Sequence, residues 1–225
     1  MGLNLTVSHL VQWYNGKAAL DDCSVAFTHS AVYALMGPNG SGKSTLLRAC
    51  ALLETVDRGE IKYYNSDNAV SLPHDLSLRR RICLVLPKIG VFNTSVFKNV
   101  AYGLSVRGLG KKSISQQVYE ALDAVGLTHK SKQNALTLSS GETQRLGIAR
   151  AMVIKPEILF LDEPTASIDE ENTRIVEAII KRLRSSGRTM IILTTHDREQ
   201  ALRLADSIVS MRNGRILSQQ QDGPF

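Results

Sequence analysis

The sequence predicts an α/β fold around a mainly parallel sheet, on two observations. Short apolar runs, typical of strands buried on both faces, alternate with segments whose apolar residues recur at helical spacing. Three of these runs, residues 31–36, 158–161 and 190–193, lead directly into a glycine-rich loop, an acidic pair or a histidine. Because sheets of this kind bind ligands at the carboxyl ends of their strands, we expect one site where these ends meet.

Length and composition are those of a single globular domain with a substantial core: 225 residues, of which 43% are hydrophobic. No apolar stretch approaches the roughly 18–20 residues that span a bilayer. The cysteines Cys23, Cys50 and Cys83 offer neither a disulfide framework nor a metal motif, which favours a reducing, cytosolic setting. The net charge of +6 permits binding to nucleotide, nucleic acid or an acidic membrane, and the basic run at 79–81 is interpreted as a solvated face.

The first of the three strands is followed by a phosphate-binding loop of the pattern G-x-x-x-x-G-K-S/T. Its glycines allow the backbone to curl so that successive N–H groups point at a phosphate, and the helix predicted at 46–54 adds its dipole. Lys43 then reaches the outer phosphates of a nucleotide, and the Ser44 hydroxyl holds Mg²⁺. The residues predicted to bind the phosphates are Gly37, Pro38, Asn39, Gly40, Ser41, Gly42, Lys43, Ser44 and Thr45.

The N-terminal segment has the alternation of half-buried strands. Strands are predicted at 3–7 and 24–27, with a turn at Asn15-Gly16 between them, and at 60–64 after the first helix. We expect these strands to form an antiparallel β subdomain. Tyr14, beside the turn, is a candidate to stack on an adenine ring; an ordinary amphipathic surface tyrosine is the alternative.

The middle of the chain changes towards helix after a short strand at 81–86 that Pro87 ends. A capping box at 113–116 predicts the start of one helix and Gly126 its end, and a second helix opens at 138–142. We therefore predict one domain, 1–225, in which 1–86 and 156–225 form the α/β core with its β subdomain. Residues 87–155 form an inserted helical subdomain.

The acidic pair Asp162 and Glu163 follows the continuous apolar run at 158–161. Asp162 is predicted to orient Mg²⁺, and Glu163 is then free to position or polarise an attacking water. The alternative is a carboxylate pair that begins a helix or makes surface salt bridges. His196 follows the strand at 190–193, where contact with a γ-phosphate is favoured over the role of a satisfied core histidine.

With these residues assembled, the chain resembles the nucleotide-binding subunit of an ATP-binding-cassette (ABC) transporter over nearly its whole length, from Leu3 to about Leu217. The most specific element is the segment 138–142, Leu-Ser-Ser-Gly-Glu, followed by Gln144-Arg145, which is similar to the family's LSGGQ signature. On this resemblance, Tyr14 lies where the family stacks adenine. Residues 167–169 correspond to the family's D-loop, and His196 corresponds to its switch histidine.

The resemblance implies that the chain binds ATP and Mg²⁺ and hydrolyses ATP with Lys43, Glu163 and His196 as catalytic residues. Two copies would dimerise head to tail, with each ATP between one phosphate loop and the signature residues Ser139, Gly141 and Glu142 of the other copy. Transport would require permease subunits on separate chains and an extracytoplasmic substrate-binding protein, with no nucleic acid. The chain would then be cytoplasmic and peripheral on the inner face of the membrane.

The sequence departs from the family pattern at three places. Ser140 replaces a glycine, and Glu142 replaces a glutamine and puts a charge near the partner's ATP. Pro87-Lys88 stands where the family has the Q-loop glutamine that contacts Mg²⁺ and the attacking water. A weakly active regulatory or scaffold subunit, which binds ATP without efficient turnover, is therefore the alternative function.

The segment 91–104 is similar to importers of tungstate, molybdate and sulfate, and among these oxyanions tungstate is preferred. ABC ATPases of DNA repair and chromosome structure carry long coiled coils, and the compact interval 99–137 has no room for one. Translation-associated ATPases normally fuse two cassettes in one chain, and here one is present. Transport is therefore the predicted role.

Overall fold

The computed structural model describes residues 2–28, 31–68 and 70–221. The strands are β1 (Leu3–Tyr14), β2 (Lys17–Phe27), β3 (Val32–Met36), β4 (Arg58–Asn65), β5 (Ile82–Val85), β6 (Ile158–Leu161), β7 (Met190–Thr195), β8 (Ser207–Arg212) and β9 (Arg215–Gln221). The α-helices are α1 (Lys43–Cys50), α2 (Leu76–Arg79), α3 (Val96–Val106), α4 (Lys111–Ala124), α5 (Ser140–Met152), α6 (Glu170–Ser185) and α7 (Arg198–Leu204). Short 3₁₀ helices cover Thr128–Lys130 and Ala135–Thr137.

The main sheet confirms the predicted parallel core. Within the described residues it has the strand order β5-β6-β7-β3-β8-β9, in which the first five pair in parallel and β9 pairs antiparallel with β8. A second, antiparallel sheet has the order β2-β1-β4. Every residue of β6 and β7 is buried, as expected for strands covered on both faces. The carboxyl ends of β3, β6 and β7 lie side by side, with Leu161 of β6 paired to Leu193 of β7.

Two Asn-Gly turns have the positive φ angles that tight hairpins require. The angles are 49° and 77° at Asn15-Gly16 and 50° and 76° at Asn213-Gly214, which joins β8 to β9. The strands β1 and β2 are longer than the predicted 3–7 and 24–27, because both continue into their turn. His9 and Asp22 interrupt them with φ angles of 51° and 58°, and these irregularities break the alternation that predicts strands.

The segment between β5 and β6 is helical, as expected, with α3, α4 and α5 packed together. The predicted capping box at 113–116 was wrong, because α4 begins at Lys111 after an extended Gly110. Ser113 already lies within the helix, where its hydroxyl accepts from Gln117 Nε2 at 2.9 Å. Gly126 ends the helix as predicted, with a φ of 69°.

Within the basic run at 79–81, Arg81 is tied into the fold, whereas Arg79 and Arg80 are exposed. Arg81 donates to both carboxylate oxygens of Glu157 at 2.6 and 2.8 Å and to Asn65, and both side chains of the ion pair are about three-quarters buried. Arg79 donates to the Leu52 carbonyl at 2.7 Å. The interpretation as a solvated face was therefore wrong for Arg81. No helix within the described ranges is long and apolar enough to cross a membrane.

Candidate functional site

The phosphate-binding loop connects β3 to α1, and two of its glycines lie close to the backbone of β8 and β2. A Cβ on Gly37 would lie 2.2 Å from the Met211 carbonyl oxygen, and one on Gly42 would lie 2.5 Å from that of Ala19. Both glycines also have positive φ, at 157° and 102°. Any side chain at either position would force the loop away from the strands behind it, so the motif's glycines are set by packing as well as by conformation.

Lys43, the first residue of α1, folds back over this loop. Its ammonium donates to the carbonyls of Gly37 at 2.8 Å and Pro38 at 3.1 Å, and the residue is 5% exposed. Both acceptors are neutral backbone carbonyls, so neither of these two bonds pairs the ammonium with a negative charge. The cation therefore stands over the loop where its amide groups and the start of α1 favour a phosphate.

Ser44 is joined to Asp162 at the end of β6. The Ser44 hydroxyl donates to Asp162 Oδ1 at 2.9 Å, and the Thr194 hydroxyl donates to the same oxygen at 2.8 Å. Thr194 also accepts from the Glu163 amide at 2.8 Å. Sequence reasoning missed Thr194, because a threonine at the end of a buried strand carries no signal until the neighbouring strand is known.

The Ser44–Asp162 pair fits a magnesium ion. Asp162 is 1% exposed, and its Oδ2 is buried without a hydrogen-bond partner among the described residues. A carboxylate oxygen and a hydroxyl are ligands that Mg²⁺ accepts alongside water and substrate phosphates. The described chain contains no group of three or more His, Cys, Asp or Glu side chains that could hold a metal by themselves.

Glu163 and His196 follow β6 and β7 at the same edge of the sheet. Glu163 is partly buried and adopts a φ of 46°, a left-handed conformation that a glutamate rarely takes. Such strain is retained where the surrounding structure fixes it, often at functional sites. His196 is exposed immediately after the buried Thr195, so the interpretation as a satisfied core histidine was wrong.

One cleft gathers most of the predicted nucleotide-binding residues. Its volume is about 560 Å³. Its lining residues come from β1, β2, the phosphate loop, the start of α1 and the segments that follow β5 and β6. They are Tyr14, Lys17, Ala18, Ala19, Asn39, Gly40, Gly42, Lys43, Ser44, Thr45, Pro87 and Glu163. Pro87, at the position of the family's glutamine, therefore lies on the same cleft as Glu163.

Tyr14 stands at the rim of this cleft, 45% exposed, and is held by one hydrogen bond. Its hydroxyl donates to Glu54 Oε2 at 2.5 Å, and this bond raises the pKa of the phenol above its ordinary value. Glu54 is itself 3.6 Å from Arg48. The ring is thus anchored at its polar end and remains available for stacking.

The signature segment lies apart from the cleft. Ser139 caps α5 by accepting from the Glu142 amide at 3.2 Å, and Glu142 Oε2 accepts from the Ser139 amide at 3.0 Å. A Cβ on Gly141 would lie 2.2 Å from Asn172 Cγ, so a larger residue there would displace the Asn172 side chain on α6. The structure does not bring Ser139, Gly141 or Glu142 to the phosphate loop of the same chain.

A separate groove of about 250 Å³ lies between the end of β5 and the helices α3 and α5. Lys88 lines this groove, whereas its neighbour Pro87 lines the nucleotide cleft, so the two residues face different cavities. Phe92 and Tyr102 stack beside the groove with ring centroids 4.8 Å apart, and the Arg150 guanidinium lies 5.2 Å from the Phe92 ring. Both aromatic side chains are roughly half exposed.

Comparisons with known proteins agree on the family. A family profile described as ABC transporter matches residues 20–166. The tungstate uptake system ATP-binding protein TupC of Peptoclostridium acidaminophilum is 39% identical over 214 residues, covering 95% of this chain and 97% of that protein. The phosphate import ATP-binding protein PstB 2 of Natronomonas pharaonis is 39% identical over 223 residues, covering 95% and 78%.

Among solved structures, cbiO1 from Clostridium perfringens, described as part of the ABC transporter complex cbiONQ, superposes with a TM-score of 0.86. It is 27% identical and covers 98% of this chain and 89% of its own. The two relatives at 39% identity are named for different ions, tungstate and phosphate.

Proposed function

Because the chain belongs to the ABC transporter family as an ATP-binding ATPase of import systems, we propose that it drives uptake of a small oxyanion as a head-to-tail dimer. The observation that carries the proposal is the hydrogen bond from Ser44 to Asp162 beside a cleft lined by Lys43 and Glu163. This arrangement joins a phosphate-binding loop to an acidic strand end, as hydrolysis of a nucleoside triphosphate requires.

Phosphate binding rests on the loop 37–42, the start of α1 and Lys43. The loop amides and the helix dipole attract the negative oxygens, and the ammonium now shared by two carbonyls is within reach to pair with them. Ser44 and Asp162 would hold Mg²⁺, which neutralises charge on the phosphates. Tyr14 stacks on the adenine at the other end of the cleft.

Hydrolysis uses Glu163 as the group that orients water and accepts its proton. The water oxygen forms a bond to the γ-phosphorus, the bond from that phosphorus to the β–γ bridging oxygen breaks, and ADP and phosphate leave. The amide of Glu163 is fixed by the Thr194 hydroxyl, so the carboxylate starts from a defined backbone position. His196, exposed at the neighbouring strand end, contacts the γ-phosphate.

A second copy would complete the site, because the signature residues do not line the cleft of their own chain. In the head-to-tail dimer, Ser139 and Gly141 of one copy donate to the γ-phosphate bound by the other, at the positive end of α5. ATP then stabilises the closed dimer, and hydrolysis of ATP allows the two copies to separate.

The helical subdomain, 87–155, docks on permease subunits at the cytoplasmic face of the membrane. The exposed Phe92 and Tyr102 beside the groove form a small apolar surface suited to a cytoplasmic segment of such a partner. An extracytoplasmic binding protein would deliver the substrate, and nucleic acid has no part in the cycle.

Tungstate is the proposed substrate, and the 39% identity with a tungstate uptake protein over nearly the full length of both chains supports it. The phosphate import relative supports the wider class of oxyanions. The test is ATPase activity of the complete complex with its membrane partners and binding protein. Stimulation by tungstate, and not by sulfate, phosphate or spermidine, is expected, and stimulation by phosphate alone would contradict tungstate.

A second candidate is a regulatory subunit that binds ATP with little turnover. Pro87 favours it, because a proline lines the cleft beside Glu163 where the family's glutamine would offer an amide. The two candidates are separated by the turnover rate of the assembled complex.

The variant Glu163→Gln tests the proposed reaction directly. Loss of a positioned proton acceptor typically costs about 10²–10⁴ in rate, while ATP binding is retained, so a stable ATP-bound dimer should accumulate. Glu171→Gln, which changes an exposed acid on α6, is the matched control. Undiminished hydrolysis in the Glu163 variant would refute the role of this residue.

A further inference from the structure

Glu142 places a negative charge in the signature segment, yet its carboxylate is fully engaged within its own chain. Oε2 accepts from the Ser139 amide at 3.0 Å, and Oε1 is paired with the Lys130 ammonium. Both charged side chains are mostly buried, Lys130 at 25% and Glu142 at 17% exposure. The carboxylate therefore lies at the N-terminus of α5 and is paired there with the Lys130 ammonium; an unpaired carboxylate at this end would oppose an incoming phosphate.

Lys130 is the main partner of this carboxylate. It lies on the 3₁₀ helix Thr128–Lys130, which precedes the signature in the chain, and it is the first cause of a lowered pKa at Glu142. Arg145, one turn along α5, acts in the same direction but more weakly, and its guanidinium is bound to the Val125 carbonyl.

We propose that Lys130 is a positioning residue of the dimer's shared ATP site, because it pairs with the Glu142 carboxylate at the N-terminus of α5 and offsets the negative charge that would otherwise repel the partner's γ-phosphate. This inference rests on the proposed function, since the γ-phosphate in question belongs to ATP bound by a second copy. A glutamine at 142 would carry no charge to restrain, so the need for Lys130 follows from the glutamate in this sequence.

Two consequences distinguish this role from simple stabilisation of α5. Without Lys130, the negative charge of Glu142 at this end of α5 has lost its cationic partner, and it repels the phosphate of the partner's ATP because like charges at short range repel each other. The penalty should disappear when position 142 is neutral. It should also weaken as salt is added, because ions screen the repulsion between the approaching phosphate and this carboxylate.

The experiment uses the full chain in the Glu163→Gln background, in which ATP-bound dimers accumulate, and measures the ATP concentration for half-maximal dimerisation by light scattering. Lys130→Met should raise this concentration by about tenfold at low ionic strength and less at high ionic strength. The same change made together with Glu142→Gln should have little effect. Lys132→Met, at an exposed lysine two residues away, is the matched control.

Each outcome is decisive. If Lys130→Met raises the ATP concentration equally with glutamate or glutamine at position 142, Lys130 only supports the fold. If Lys130→Met leaves that concentration unchanged, Lys130 does nothing at the site. Either result overturns the inference. Circular dichroism at each ATP concentration separates unfolding from weakened dimerisation. If the Glu163→Gln parent itself does not dimerise with ATP, the proposed function fails first, and the inference falls with it.

Discussion

The Ser44 hydroxyl donates to Asp162 Oδ1 at 2.9 Å, although the two residues are 118 positions apart in the chain. The bond joins the first turn of α1 to the carboxyl end of β6. The Thr194 hydroxyl binds the same oxygen, so the carboxylate is fixed by two donors, while its Oδ2 has no partner among the described residues. An acid held in this way needs no rearrangement to orient a metal ion.

Asp162→Asn should lower the affinity for Mg²⁺ in the presence of ATP by about 10–100-fold, the usual effect of losing an orienting carboxylate near a metal. Asparagine has the same shape, so the fold should persist. Thr194→Val, which removes the second donor, should act in the same direction but less. The measurement is the Mg²⁺ concentration for half-maximal ATPase activity, with Asp67→Asn in an exposed turn as control; an unchanged value in the Asp162 variant would contradict the assignment.

Lys43→Ala should weaken ATP binding, because it removes the ammonium that folds over the phosphate loop. Hydrogen bonds to charged groups are worth about 1.5–3 kcal/mol, which corresponds to roughly 10–150-fold in the dissociation constant. Calorimetric titration with ATP provides the measurement. Lys62→Ala, which removes an exposed lysine paired with Glu60, should leave the constant unchanged. Equal affinity of the Lys43 variant and the natural chain would contradict the role of Lys43.

Sequence alone predicts those parts of the structure that are determined by residues close together in the chain. The glycines of the phosphate loop and the Asn-Gly turns each require a conformation that few residues adopt, so their pattern is visible within a few positions. The buried strands β6 and β7 are equally plain, since strands covered on both faces are apolar throughout.

Contacts between distant segments could not be predicted in the same way. Thr194 reaches Asp162 only because β6 and β7 pair in parallel with Leu161 opposite Leu193, and nothing near either residue encodes that register. The charge of Glu142 was apparent from the sequence, but its ion pair was not. The partner is Lys130, which lies on a separate 3₁₀ helix.

Tyr14→Ala should weaken ATP binding by about tenfold or more, since stacking of a base on an aromatic ring is worth roughly 1–3 kcal/mol. Tyr14→Phe keeps the ring and loses only the bond to Glu54, so its loss should be smaller. Because every base has a stacking face, GTP should be affected to a similar degree. Fluorescence titration with both nucleotides provides the measurement, and equal affinity of the alanine variant and the natural chain would reduce Tyr14 to an ordinary surface residue.

Pro87→Gln should raise the ATPase activity of the complex with its membrane partners by about tenfold, because an amide then faces the cleft beside Glu163. Proline has no backbone N–H, and its side chain has no polar atom that could orient water or ligate a metal ion as a glutamine amide can. Its neighbour Lys88 lines the groove between the end of β5 and the helices α3 and α5, and it does not line the nucleotide cleft. Pro73→Gln, at an exposed proline outside the cleft, is the control. If Pro87→Gln leaves the rate unchanged, position 87 does not limit turnover in this chain, and Glu163 with its fixed backbone is sufficient to orient the water.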